Sequence, residues 1–214
     1  MRQPRLEFWF EFASTYSYIA AMRIEDMCRD AGVTLRWRPF LLAPIFRRQG
    51  WTTSPFAANS LRGAYMWRDM ERLTQKYGLP FKRPSVFPRN TTLAARVAAA
   101  FSGEPWIGEY IRRAFVANFG EDCELNDEET VRRLLQGVGQ NASAALHAAL
   151  NTGRREALRN NTEQAMAIDI FGAPNCIVDG ELFWGEETLY DALAFAISKG
   201  QRHGRTFETI RAAG

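Results

Sequence analysis

The chain of 214 residues is poor in cysteine, poorer in histidine and free of long apolar runs, and each shortage excludes a class of chemistry. Its three cysteines, Cys28, Cys123 and Cys176, stand far apart and no C-x-x-C occurs, so neither a disulfide framework nor a dithiol redox pair is encoded. Cys28 shares a helical stripe with Ala20, Ile24, Met27 and Ala31 and is expected in the core, as is Cys176 in its apolar strand; Cys123 is expected in a loop. The two histidines, His147 and His203, lack partners at metal-ligand spacing, which argues against a zinc site and against a Cys–His nucleophile. No segment approaches the roughly 18 apolar residues of a membrane span. Glu7 and Glu11 make the first dozen residues too charged for a signal peptide. Basic residues number 27 against 24 acidic ones, spread without a patch, so nucleic-acid binding has no support. The expectation is a soluble, cytoplasmic protein with neither a nucleic-acid nor a membrane partner.

What is present is a clear change of periodicity along the chain. Residues 6–12 are aromatic and apolar, as a buried strand is; Ala13-Ser14-Thr15 supplies turn and N-cap types; a helical period runs from Tyr16 to Ala31 and stops at Gly32. Residues 33–37 alternate as a strand, and Pro39 ends it. Strand signals then vanish, and helices are expected over about 60–77, 91–101, 106–117, 127–138, 141–150 and 154–170. Strands return at 174–178 and 181–184 around Asp179-Gly180, a pair suited to a tight hairpin because both central positions need positive φ. A last helix is expected over about 187–198. The fold class is therefore α/β: residues 1–40 and 172–200 form one discontinuous βαβ–ββα unit, 41–171 a helical insertion, and 201–214 a weakly patterned tail. A ligand in such an arrangement favours the crevice at the carboxyl ends of the strands.

Ser14 lies at that crevice, where unpaired N–H groups and the helix dipole favour an anion. Two roles are open to it, a plain N-cap or a hydroxyl donor to a bound anion. Lowering a thiol pKa by two units takes about 2.7 kcal/mol of thiolate stabilisation, which one charge-assisted hydrogen bond and a helix terminus supply together. No histidine lies near Ser14 to activate it as a nucleophile in its own right.

Two motifs coincide with this placement: Phe10-Glu11-Phe12-Ala13-Ser14-Thr15-Tyr16-Ser17-Tyr18, and Phe171-Gly172-Ala173-Pro174 followed by Asp179-Gly180-Glu181-Leu182-Phe183-Trp184-Gly185. With Arg38-Pro39-Phe40, Tyr65-Met66-x-x-Asp69, Phe87-Pro88-x-Asn90-Thr91 and Asn161-Thr162-Glu163 in the same order, the chain resembles the 2-hydroxychromene-2-carboxylate isomerases and their kappa-class glutathione transferase relatives. The resemblance implies a thioredoxin-like, DsbA-like fold and glutathione as cofactor. It gives Ser14 the catalytic position and makes Ala173–Pro174 a cis bond presenting backbone to the cysteinyl part of glutathione. It also assigns Trp184, Gly185, Glu186 and Glu187 to glutathione's other contacts. The implied reaction is cis–trans isomerisation of a small aromatic carboxylate, with Arg47 and Arg48 as cations for the carboxylate and Asn90 and Tyr16 as further substrate contacts; Arg62 and Arg83 are weaker candidates. A homodimer is implied as well. A kappa-like transferase and a non-catalytic DsbA-like protein without redox cysteines are the alternatives. Thr15, Asn175 and Glu186 depart from the family's usual proline, small hydroxyl residue and amide.

Overall fold

The computed structural model describes residues 3–151 and 153–211, with side-chain surroundings through Gly200. Strand β1 (Arg5–Phe10), helix α1 (Thr15–Asp30) and strand β2 (Thr34–Pro39) form a parallel βαβ unit in which Phe8 pairs with Trp37. Strand β3 (Asn175–Val178) runs antiparallel on the other side of β1, and β4 (Glu181–Trp184) closes the edge, giving the order β2-β1-β3-β4. The hairpin between the last two strands takes the expected positive φ values, 52° at Asp179 and 85° at Gly180.

β1 is covered on both faces, which is why it reads as a nearly unbroken apolar run. Leu6, Phe8 and Phe10 join the larger core, whereas Trp9 joins a smaller cluster with Phe40, Ile45 and Ile170 on the opposite face. The helical stretch consists of α2 (Leu42–Arg48), α3 (Pro55–Ala58), α4 (Ser60–Tyr77), α5 (Thr92–Ala100), α6 (Ile107–Phe119), α7 (Glu128–Gly137), α8 (Ala142–Asn151) and α9 (Ala157–Ala167). Phe115 of α6 sits 4.9 Å from the Phe12 ring, and Phe119 stacks on Tyr18 at 5.5 Å, so one core runs from the sheet through α1 into the helices. Cys28 and Cys176 are buried in that core, and burial raises the pKa of both thiols.

The expected helix over 60–77 is α4, capped by the Asn59 side chain at one end and by left-handed Gly78 at the other. Differences fall at the ends of elements and in short ones. The first strand stops at Phe10 rather than 12, because the chain turns at Glu11. Helices α2 and α3 were not foreseen: seven and four residues give no measurable period, and α2 has no side-chain cap. The helix expected over 154–170 divides into a 3₁₀ turn, Gly153–Glu156, and α9. A second 3₁₀ turn, Glu186–Thr188, leads into α10 (Leu189–Arg211), which continues well past the expected end near 198 and through most of the expected tail. No proline interrupts that stretch, and Gly200 leaves room for Pro4, whose ring lies 3.3 Å from where a Cβ would be. Residues 212–214 of the tail lie outside the described residues. Among the described residues no helix is long and apolar enough to cross a membrane.

Candidate active site

The carboxyl ends of β1 and β2, the amino end of α1, and α2 to α4 surround a cavity of about 980 Å³. Ser14 lies at its base and does two things at once. Its Oγ accepts from the Ser17 amide (3.2 Å), making it the N-cap of α1, and its hydroxyl donates to the Ala173 carbonyl (3.2 Å). The amides of Thr15 and Tyr16, in the same first turn, have no acceptor among the described residues, and both residues line the cavity. Dipole, free amides and a hydroxyl thus converge on one point suited to an anion. Ser17 occupies the place a second thiol would need in a redox pair, and its buried hydroxyl has no partner among the described residues.

Ala173 and Pro174 face Ser14, joined by the expected cis bond; Phe87–Pro88, also at the cavity, is a second one. The Ala173 amide makes no hydrogen bond among the described residues, which leaves a main-chain donor beside Ser14. Gly172 is required here because the Trp184 indole lies against it, 2.9 Å from a would-be Cβ. Trp184 and Phe171, each about half exposed, pair at 5.1 Å and form an aromatic lip. The chain then turns at Gly185 (φ 105°), where a Cβ would collide with the Glu187 carboxylate.

Glu186 and Glu187 both line the cavity but differ in environment. Glu186 is buried and ion-paired with Arg23 of α1 at 2.7 Å; burial raises its pKa, and Arg23 opposes that shift. Glu187 is exposed and has no ion pair among the described residues.

The cavity is also lined by Arg47, Arg62, Asn90 and Tyr16. Arg47 and Arg62 make no ion pair among the described residues, so two free guanidinium groups meet the cavity. Arg48 corrects the expectation that paired it with Arg47: it is not part of the wall, and its guanidinium donates to the Met166 carbonyl (3.1 Å). Consecutive helical residues point about 100° apart, so only one of the two can face the cavity. Arg83 also lies elsewhere, over the Trp67 ring at 4.9 Å. The Asn90 Oδ1 accepts from the Thr92 amide (3.1 Å) and hydroxyl (2.8 Å), so its cap role coexists with a place at the cavity. Tyr16 donates to Asp69 (3.1 Å), and burial together with that carboxylate raises its phenol pKa.

Two positions that hold the site together give no sign of it in the sequence. Glu11 is buried at the cavity base, where its carboxyl accepts from the Thr91 hydroxyl (2.6 Å), the Ala13 amide (3.2 Å) and the Leu42 backbone. It ties together the segments that carry Ser14, Arg47 and Asn90, and burial raises its pKa despite the three donors. Its signal was a lone acid between Phe10 and Phe12. Arg23 left no signal, since an arginine on an amphipathic helix reads as solvated. Among the described residues no cluster of three or more potential metal ligands exists.

Known proteins bear on this geometry. Residues 5–197 match the model of the DSBA-like thioredoxin domain. The 2-hydroxychromene-2-carboxylate isomerase of Pseudomonas putida is 26% identical over 187 residues, covering 86% of this chain and 90% of the relative. Glutathione S-transferase kappa 1 of Caenorhabditis elegans is 24% identical, covering 80% and 79%. Among solved structures, a 2-hydroxychromene-2-carboxylate isomerase superposes with a TM-score of 0.82 at 24% identity, over 95% of this chain and 98% of the other.

Proposed function

The chain belongs to the DSBA-like thioredoxin family, and from that premise we propose that it is a glutathione-dependent isomerase of small aromatic carboxylates related to 2-hydroxychromene-2-carboxylate. The observation that carries the proposal is Ser14: a hydroxyl at a helix N-terminus, between two free amides of its own turn and the free amide of Ala173, where the fold's redox proteins need cysteines. The names of the relatives, an isomerase and a glutathione transferase, support the same reading.

The residues fit the tripeptide. Ser14 and the α1 amides receive the sulfur, the Ala173 amide receives main chain of the cysteinyl unit, and Glu187 receives the ammonium at the γ-glutamyl end. When bound, glutathione supplies a nucleophilic thiolate whose reversible addition lets a carbon–carbon bond of the substrate rotate. Ser14 has a resting acceptor in the Ala173 carbonyl, so its hydroxyl must turn away from that oxygen to donate to sulfur. A charged sulfur competes well, because hydrogen bonds to ions exceed neutral ones by about 1 kcal/mol or more. Arg47 and Arg62 supply cations for two of the carboxylates, the one on the substrate and the one at the glycyl end of glutathione. Phe46, Phe56 and Phe87 give the substrate an apolar wall, with the Phe171–Trp184 lip at the opening.

Calorimetry with glutathione, followed by product analysis on 2-hydroxychromene-2-carboxylate, tests the proposal. Binding at millimolar concentration or better and isomer formation without loss of glutathione are expected. Stoichiometric consumption of glutathione would assign a transferase instead, and absence of binding would remove the proposal.

A further inference from the structure

Two carboxylates in sequence at one end of a cavity repel each other, and the structure resolves this by treating them differently. Glu186 turns toward α1 and pairs with Arg23 at 2.7 Å, the two side chains being only 11% and 14% exposed. Arg23 is itself fixed by aromatic rings, its guanidinium 4.1 Å from the Tyr77 centroid and 5.9 Å from that of Tyr190. Lys76 lies over Tyr77 from α4 at 4.9 Å and adds a second positive charge that acts on Glu186. Glu187 keeps an exposed carboxylate with no partner among the described residues. The net result is one neutralised acid and one free acid at the same end of the cavity.

We infer that Arg23 is a positioning residue that sets ligand selectivity through Glu186: by neutralising that carboxylate it makes this end of the cavity accept a zwitterionic amino-acid head. Such a head carries an ammonium, which Glu187 attracts, and a carboxylate, which an unpaired Glu186 would repel. Without Arg23, wherever the pH keeps Glu186 ionised, the same end carries two negative charges and favours an amine that bears no carboxylate. The inference rests on the reading that glutathione's γ-glutamyl end lies against Glu187. Arg23 touches no ligand in this account; it acts only through the charge and orientation of Glu186.

The test compares two ligands by calorimetry: glutathione, and the analogue in which the α-carboxylate of the γ-glutamyl unit is replaced by hydrogen. Measured well above the ordinary carboxyl range, so that Glu186 is ionised, Arg23→Met is expected to weaken glutathione binding about tenfold, the scale of one unit-charge repulsion in a partly wet cavity. The analogue is expected to bind as tightly or up to about tenfold more tightly, since its ammonium meets a second carboxylate and it brings no carboxylate for Glu186 to repel. Arg23→Met combined with Glu186→Gln is expected to recover glutathione affinity to the level of Glu186→Gln alone, which a purely structural role for Arg23 would not produce. Should Arg23→Met fail to fold, the double variant compared with Glu186→Gln carries the test, and unequal affinities there overturn the inference. Equal losses for both ligands, or no loss for either, also overturn it. If the unaltered protein binds neither ligand, the functional reading falls and the inference with it; if it binds glutathione and Arg23→Met binds as tightly, the inference alone falls.

Discussion

The cavity lies between two strand-to-helix junctions of one sheet, and the two differ in electrostatic sense. At the first, β1 leads through Glu11 and Ala13 to a serine cap and an open helix turn with free amides, an arrangement that gathers an anion. At the second, β4 leads through a positive-φ glycine to two consecutive acids, of which Glu186 is paired with Arg23 and Glu187 leaves its charge free before α10 to attract a cation. Backbone geometry therefore offers two similar helix starts, and the capping side chains decide what each one holds. A ligand with a thiolate near one end of its reach and an ammonium at the other spans the pair.

Removing the first junction's hydroxyl should give the largest effect. Ser14→Ala is expected to lower kcat/KM for isomerisation by about 10²-fold, the scale of losing a donor to developing charge. It should also cost the helix cap about 1 kcal/mol, read as a lower thermal midpoint. At the second junction, Glu187→Gln is expected to weaken glutathione by about thirtyfold in calorimetry, since a hydrogen bond to a charged partner contributes ~2 kcal/mol. The cationic part of the cavity lining sharpens the contrast: Arg47→Ala should raise KM for the aromatic acid about tenfold. Arg48→Ala, turned to the Met166 carbonyl, should change it less than about twofold in the same initial-rate assay.

Glu11, beneath the first junction, gives the smallest effect, on stability alone. Its folded pKa is raised above the ordinary 4.5 by burial, so its contribution to stability is present below that value and is lost as pH rises through the folded pKa. Melting curves for the unaltered protein and Glu11→Gln between about pH 4 and pH 8 should therefore draw together, or cross, as pH rises. A constant difference across that window would mean that Glu11 does not titrate between the folded and unfolded states.

The two junctions were not equally legible in the sequence. The first could be read from its period change, from a buried strand into an amphipathic helix with a serine between them, and the structure has Ser14 at that cap. The hairpin was equally clear, because Asp179-Gly180 demands a conformation few other pairs accept. The second junction showed its acids but not their inequality, since the Arg23 that separates them lies 163 positions away on another helix. Glu11 was hidden by a different effect: an acid flanked by phenylalanines breaks the strand pattern without revealing that Thr91, 80 positions on, donates to it. Helices α2 and α3 were too short for periodicity to detect, yet they bring Arg47 and Phe56 to the cavity. Local pattern thus shows where elements begin, and long-range side-chain pairing shows what the site's charges do.

The proposed chemistry depends most on Ser14 holding a thiolate, and the ultraviolet absorbance of the thiolate measures that directly in the complex. Titration of glutathione bound to the unaltered protein is expected to give a thiol pKa at least about one unit below the ordinary value near 8.5, and in Ser14→Ala most of that depression should disappear. An undepressed thiol in the unaltered protein, or an equal depression in both proteins, would contradict the account.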